Sequence, residues 1–395
     1  MSVPRIILKA RRALPFFSRH PWVFAGAIER VEGAPDDGAE VDVVSGTNEF
    51  IARGLFNSQS KIRVRLYSWV PGQPLDRDFF REKLARAIKF RETLGLRGPG
   101  KGCRLVFSEA DGISGCTIDE YSGWLAMQFT SLVIAQRREM FADILDELIQ
   151  PKGMYLRTEK GINKLEGFDI RDGVLRGPQP PADLTIEEDG LHFLVNLTEG
   201  QKTGYFLDQR DNRRAAASLA KGRRVLDAFS YTGGFGLHAA KAGALNVECV
   251  DVSEPALSMA RSNAERNGLA NLEFIRSDVF VHLENRVKEG QRYGMIILDP
   301  PKFARSKASI PDAIRGYRRL QIFAMRLLEP DGILVTCCCS GSITTEMLDE
   351  LLLQIAILEK RDVQILAKLG QALDHPVAVS CPETAYLKCY VSRVI

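Results

Sequence analysis

The chain has 395 residues, 45% of them apolar, and a formal net charge of +3. It is long enough for two or three folded domains but too evenly charged for a global basic field to announce a nucleic-acid partner. Its eight cysteines lack paired spacing and its five histidines are scattered. This argues against a disulfide framework or a zinc centre and for a reducing cytosol. No apolar run approaches the ~18 residues of a membrane-spanning helix.

Arg5, Lys9, Arg11, Arg12 and Arg19 all precede the first carboxylate, Glu29. An acid-free, Arg-bearing start has the charge of a transit peptide. It is poor in Ser, however, and runs straight into a strand-like stretch at 22–25, so a mature N-terminus is expected. Residues 40–44 and 50–55 alternate around Ser45-Gly46-Thr47-Asn48, a hairpin signal. Residues 62–67 alternate with Arg63 and Arg65 on one face, which a solvated strand would also explain. Residues 1–74 thus read as a small β-rich domain. Arg19-His20-Pro21-Trp22-Val23-Phe24 and Ala52-Arg53-Gly54 resemble a PUA domain, a pseudo-barrel that binds structured RNA. The resemblance implies that Arg11, Arg12, Arg63 and Arg65 line an RNA-contacting surface, where cations position phosphates by shape more than by sequence.

A polar turn at 71–74 leads into an amphipathic helix at 78–94. Short strands follow at 103–107, 115–118 and 124–129, then a helix at 135–149 and a strand at 153–157. This mixed α+β middle domain, 75–185, shows no catalytic constellation. Its one polar cluster, Ser108-Glu109-Ala110-Asp111-Gly112, reads as a tight turn, and Gly177-Pro178-Gln179-Pro180-Pro181 as a linker.

In 186–395 strand, loop and helix alternate. A strand at 191–196 precedes a Gly-rich polar stretch, 198–210, whose chemistry suits either a connector or a lid over a cofactor; a helix opens within 208–219. Strands at 225–227, where Asp227 closes the run, and at 247–251, 272–275, 295–298, 332–336, 363–366 and 386–391 make up a seven-stranded sheet. Between the first of these and an apolar helix lies Asp227-Ala228-Phe229-Ser230-Tyr231-Thr232-Gly233-Gly234-Phe235-Gly236. With Ala239 it satisfies a bare G-x-G-x-x-A, a weak dinucleotide signal that a bland glycine turn also meets. Asp227 discriminates: a carboxylate there would repel a pyrophosphate but suits an ammonium-bearing ligand such as S-adenosylmethionine.

Asp227, Asp251, Asp278 and Asp299 stand at four successive strand ends. Each alone is commonly a helix N-cap; the set resembles the class I S-adenosylmethionine-dependent methyltransferases. The resemblance implies that Asp227 and the Gly233-Gly234 backbone meet the methionine moiety. Asp251 would meet the ribose and Asp278 with Val279 the adenine, with Phe229, Val252 and Gln209 completing the cofactor set. Asp299-Pro300-Pro301 would face the acceptor base, with Lys302 on the RNA. Tyr231 departs from the glycine many relatives carry. A nicotinamide dehydrogenase would share the loop, but nothing in the sequence supplies its proton donor.

Chemistry divides the acceptors. A purine nitrogen owns a lone pair and needs no protein nucleophile, whereas cytosine C5 becomes nucleophilic only after a thiolate adds at C6. Cys337 and Cys338 fall within the fifth strand, and Cys339 leads into Ser340-Gly341, where the strand opens. Any one cysteine is ordinarily a small core residue. This segment is similar to the Ser-Cys-Ser-Gly step of the bacterial 23S rRNA cytosine-5 methyltransferase I family, with Cys338 in place of a serine. The likeness extends through residues 20–24, 202–210, 229–235, 299–303 and 374–377, and so across essentially the whole chain. It implies a cytoplasmic α/β enzyme with a C-terminal seven-stranded, Rossmann-like methyltransferase domain behind an N-terminal PUA-like and a mixed α+β central domain. Cys339 would be the nucleophile and S-adenosylmethionine the methyl donor. The partner would be large-subunit 23S rRNA, with no metal and no membrane, and a homodimer is compatible. Glu383 is the expected general base, an exposed turn residue being its other reading. The alternatives are a purine methyltransferase acting, for example, at guanine N7 without a covalent step, and an RNA-binding protein with an inactive methyltransferase domain.

Overall fold

The computed structural model describes residues 3–159, 161–198, 204–304 and 306–395. The chain divides into two compact units. One holds residues 1–186, 195–207 and 373–384; the other holds 187–194, 208–372 and 385–395.

The first unit contains two sheets. Six strands run in the order Trp22–Phe24, Ile62–Ser68, Phe50–Phe56, Glu40–Val44, Arg5–Leu8, Ile28–Glu32. The expected hairpin forms: Glu40–Val44 and Phe50–Phe56 pair antiparallel, and the Ser45 hydroxyl accepts from the amides of Thr47 and Glu49 in the turn. Inward-facing Ile6, Val23, Val41, Val43 and Val64 fill the interior. Five strands then pack beside the helices Arg77–Thr93 and Arg138–Ile149. The first helix begins at Asp76, whose carboxylate accepts from the Phe79 amide at 3.0 Å, an N-cap worth about 1 kcal/mol. Its buried residues Phe80, Leu84, Ala87, Ile88 and Arg91 recur at helical spacing. The helix expected over 135–149 forms as Arg138–Ile149, and a separate short helix, Leu132–Ala135, precedes it. Between them Arg137 turns its guanidinium back onto the carbonyls of Val133 and Gly38.

One expectation is overturned here. Arg65 does not lie on a solvated face: it is 6% exposed, and its guanidinium meets Glu109 and Glu166, each at 3.4 Å, and the Ser114 hydroxyl at 3.1 Å. Tyr67, two residues on, donates to the Ser114 carbonyl at 2.8 Å. The alternation of 62–67 is real, but residues from the central region cover the charged side as well. The same turn that reads as a bland connector supplies this cover, since Glu109 also accepts from Trp22 Nε1 at 2.9 Å and Asp111 holds the fully buried Arg91 through two bonds. The regions expected as separate domains, 1–74 and 75–185, accordingly share a core in which Leu55 and Tyr67 pack with Phe80 and Leu105. Arg63 is half-buried and donates to the Asn57 carbonyl, while Arg11 and Arg12 are exposed.

In the second unit the strand order is Leu272–Arg276, Asn246–Asp251, Arg224–Ala228, Tyr293–Leu298, Leu328–Cys338, Lys388–Val394, Val363–Leu369. The first five strands are parallel and Lys388–Val394 is antiparallel to both of its neighbours. Parallel strands joined by helices are covered on both faces, which is why Val225, Leu226, Ile296 and Ile297 are all fully buried rather than alternating.

Arg65→Ala should destabilise the first unit by about 3–5 kcal/mol, because it strands two buried carboxylates. Arg11→Ala with Arg12→Ala should change stability by less than about 0.5 kcal/mol. Urea titration of the three proteins checks both values.

Candidate cofactor and nucleophile site

The strand order brings the four acids side by side along the carboxyl edge of the sheet, in the sequence Asp278, Asp251, Asp227, Asp299. This is the edge at which open α/β sheets bind ligands. They differ sharply in environment. Asp227 is fully buried; its Oδ2 accepts from the Gly236 amide at 2.8 Å, and among the described residues its Oδ1 has no hydrogen-bond partner. Burial pushes its pKa up to about 7. The Gly236 amide and Arg213 work against that rise, and the charges of Asp299 and Asp251 add to it. An orphaned buried carboxylate oxygen calls for a donor, and an ammonium group is a fitting one.

Asp251 is half-exposed and shapes the loop, accepting from the Tyr231 amide at 2.9 Å and the Ser253 amide at 2.8 Å. Gly233 (φ +81°) caps helix Gly234–Lys241. Phe229 and Tyr231 both take left-handed backbone angles, φ +65° and +49°, in a region that favours glycine. Tyr231 therefore occupies a position whose conformation glycine would adopt without strain. A Cβ on Gly236 would meet Cys249 Sγ at 2.5 Å and Asp227 Oδ2 at 3.0 Å, so the turn can approach the carboxylate only because that atom is missing.

The remaining expected residues separate. Asp278 is exposed and accepts from the Val281 amide at 3.1 Å as the N-cap of helix Val279–Lys288, with Val279 buried behind it. Val252 is exposed. Gln209 is buried with both ends of its amide engaged. It donates to Asp299 Oδ1 at 3.0 Å and accepts from Asn212 at 2.6 Å. Of the lid-like stretch, residues 199–203 lie outside the described residues; Leu207–Gln209 forms a single 3-10 turn.

Cys339 follows directly on Cys338, the last residue of the fifth strand. Cys337 and Cys338 are fully buried, whereas Cys339 is partly exposed with its Sγ 3.9 Å from the Pro300 carbonyl oxygen. The thiol thus stands beside the Asp299-Pro300-Pro301 segment. Lys302 is exposed. Glu383 belongs to the first unit, where its carboxylate is held by His20 Nε2 at 3.3 Å and Cys381 Sγ at 3.5 Å. Burial alone would raise its pKa, but the local amide, His20 and Cys381 together bring it down. These bonds lend no support to Glu383 as a general base. Asp374, of the Asp374-His375 step, accepts from the Arg104 amide at 3.0 Å and from His375 at 2.8 Å, an anchoring role that its sequence does not disclose.

Known proteins share this architecture. Residues 175–378 match the S-adenosylmethionine-dependent methyltransferase family and residues 6–69 a PUA-like domain. The ribosomal RNA large subunit methyltransferase I of Aeromonas salmonicida is 42% identical over all of both chains. That of Photobacterium profundum is 41% identical over 94% of this chain and 96% of its own. That of Escherichia coli O157:H7 is 38% identical over the full length of both. A Streptococcus mutans protein described as a SAM-dependent methyltransferase superposes with a TM-score of 0.85, at 21% identity, over 99% of this chain and 100% of its own. SMU.776, described as a methyltransferase complexed with SAH, gives 0.85 at 22% identity over the same shares. These two establish likeness of fold.

Two measurements test the cofactor edge. Asp251→Ala should weaken S-adenosylmethionine binding by roughly 1.5–3 kcal/mol, the scale of bonds to a charged group; unchanged affinity by calorimetry would remove Asp251 from the site. Asp227 has a folded-state pKa raised from about 4 to about 7. The folded state therefore binds more protons than the unfolded one in that window, and stability is full below about 4 and falls as pH rises to about 7. In Asp227→Asn this fall should be absent, so the variant should melt several degrees above the parent at pH 8 and close to it at pH 4. Its affinity for S-adenosylmethionine at pH 8 should be lower than the parent's.

Proposed function

We propose that this chain, which belongs to the ribosomal RNA large subunit methyltransferase I family, forms 5-methylcytosine in large-subunit 23S rRNA through a covalent bond from Cys339. The enzyme is S-adenosylmethionine-dependent. The observation that carries the reading is the placement of Cys339. Of the three consecutive thiols it alone leaves the strand and is accessible, and it does so beside Pro300.

When bound, the cofactor supplies an electrophilic methyl group on a sulfonium centre. The chain's own residues do the rest. The unpartnered Asp227 oxygen and the glycine turn hold the polar end of the donor, and Asp251 the ribose. The Cys339 sulfur donates an electron pair to cytosine C6. The displaced π pair then makes C5 the nucleophile. Once C5 is methylated its proton passes to a base, the C5–C6 double bond re-forms, and the thiolate leaves with the electrons of the S–C6 bond. The target must first leave the RNA stack to expose C6. The exposed Arg11, Arg12 and Lys302 are the proposed phosphate contacts; Arg65 is not among them, because its charge is spent inside the fold. Among the described residues no helix is long and apolar enough to cross a membrane, and the cytoplasm is the proposed site of action.

RNA carrying 5-fluorocytidine separates this reading from a purine target, because fluorine cannot leave C5 as a proton would. With S-adenosylmethionine present, the parent enzyme should accumulate a denaturation-resistant protein–RNA adduct. Cys339→Ala should form neither adduct nor product while binding cofactor normally, and Cys337→Ala and Cys338→Ala should retain most activity. If Cys338→Ala blocks the adduct and Cys339→Ala does not, the nucleophile is one residue earlier. If the parent never forms an adduct on its substrate, the purine reading replaces this one.

A further inference from the structure

Lys388 opens strand Lys388–Val394, which runs antiparallel to the cysteine-bearing strand and sets Lys388 directly opposite Cys338. Its side chain is half-buried, and its ammonium donates to the Ser340 carbonyl at 3.1 Å and the Tyr386 carbonyl at 3.4 Å. Cys339 therefore lies between the residue that faces Lys388 and the residue that binds its charge. Among the described residues no carboxylate pairs with this ammonium, so the positive charge is held there by carbonyl dipoles alone. A half-buried cation of this kind favours any neighbour that can become an anion.

Among the described residues around the turn, none but Lys388 brings a cation to it. Tyr317, on helix Ile310–Leu327, is buried without a well-placed hydrogen-bond partner, and burial and the adjacent Cys338 keep its hydroxyl neutral. Past the end of the other neighbouring strand, Tyr293–Leu298, Pro300 presents a carbonyl to the thiol, and Asp299, whose carboxylate accepts from Gln209, is the one anion there among the described residues and acts against the thiolate that Lys388 favours. Cys338 is fully buried and points its thiol toward the Ser340 carbonyl. Burial lowers the Lys388 pKa, and the thiols of Cys338 and Cys339 act to raise it again.

We infer that Lys388 is a positioning residue for the methyl transfer: anchored on Ser340, its ammonium holds the Cys339 turn and favours the thiolate. The S–H bond breaks with its electron pair left on sulfur, and the proton passes to solvent before the sulfur attacks C6. This inference rests on the reading of Cys339 as nucleophile, yet it can be tested without RNA.

The test is the pH dependence of iodoacetamide alkylation at Cys339 in the full-length enzyme, followed by mass spectrometry of the Cys339 peptide. A free thiol titrates near ~8.5. The parent midpoint should lie below that value. In Lys388→Met it should move up by about one pH unit, with roughly tenfold slower alkylation at neutral pH, and Lys388→Arg should stay near the parent. Methyl transfer by Lys388→Met should lose kcat at neutral pH and recover it as pH rises, with KM for S-adenosylmethionine unchanged. A parent midpoint at or above ~8.5 overturns the inference without any variant, which covers the case in which Lys388→Met fails to fold. Equal midpoints in the parent and a Lys388→Met protein that binds cofactor normally overturn it as well. Absence of the fluorocytidine adduct would instead overturn the nucleophile assignment, whatever the alkylation profile.

Discussion

A hydrogen bond of 2.8 Å from the Gly236 amide to a fully buried Asp227 carboxylate organises the cofactor edge. It can form only because position 236 has no Cβ, which would strike both Cys249 and the carboxylate. It satisfies one oxygen of Asp227 and leaves the other without a partner among the described residues, storing a demand for a donor in a dry place. The neighbouring Asp251 adds a second constraint by gathering the Tyr231 and Ser253 amides onto one carboxylate. The loop between these two acids therefore has little freedom, and it accepts left-handed angles at Phe229 and Tyr231, at a cost of order 1–3 kcal/mol each. Strain of this size persists only where surrounding bonds dictate it, and here they do.

The first unit rests on a different kind of interaction. Arg65 is buried between Glu109 and Glu166, and Arg91 is buried against Asp111 and the Asp374 carbonyl. Buried ion pairs contribute little net stability compared with apolar packing, but losing one partner is costly. Arg65 ties the N-terminal sheet, and Arg91 the helix Arg77–Thr93, to the turn at Ser108–Asp111, and these ties, together with a shared apolar core, are why these regions form one compact unit. A cation placed in that role is not available to a phosphate.

At the end of the fifth strand, three consecutive thiols meet two environments. Strand pleating and cover on both faces bury Cys337 and Cys338. Past the end of the strand Cys339 is partly exposed, and the adjacent antiparallel strand brings a cation to the turn that follows. The catalytic reading depends on that strand end more than on the count of cysteines.

What the residues alone determine here is local and periodic. Apolar runs closed by Asp227, Asp251 and Asp299 mark the parallel strands, and the glycine run after Asp227 marks the turn into the helix Gly234–Lys241. The alternation around Ser45-Gly46-Thr47-Asn48 marks a hairpin, because pleat and turn chemistry act over a few residues. Tertiary structure alone decided the rest. Arg65 and Arg63 look alike in the sequence, but the partners that bury Arg65 lie 44 and 101 residues away. Gln209 stands in a polar stretch of the sequence, and only the fold joins its amide to Asp299, 90 residues on. Lys388 carries no motif, and only the register with Cys338 sets it at the cysteine turn. Charge pairing, burial and cross-strand register are relations between distant segments, and a pattern of neighbours along the chain does not contain them.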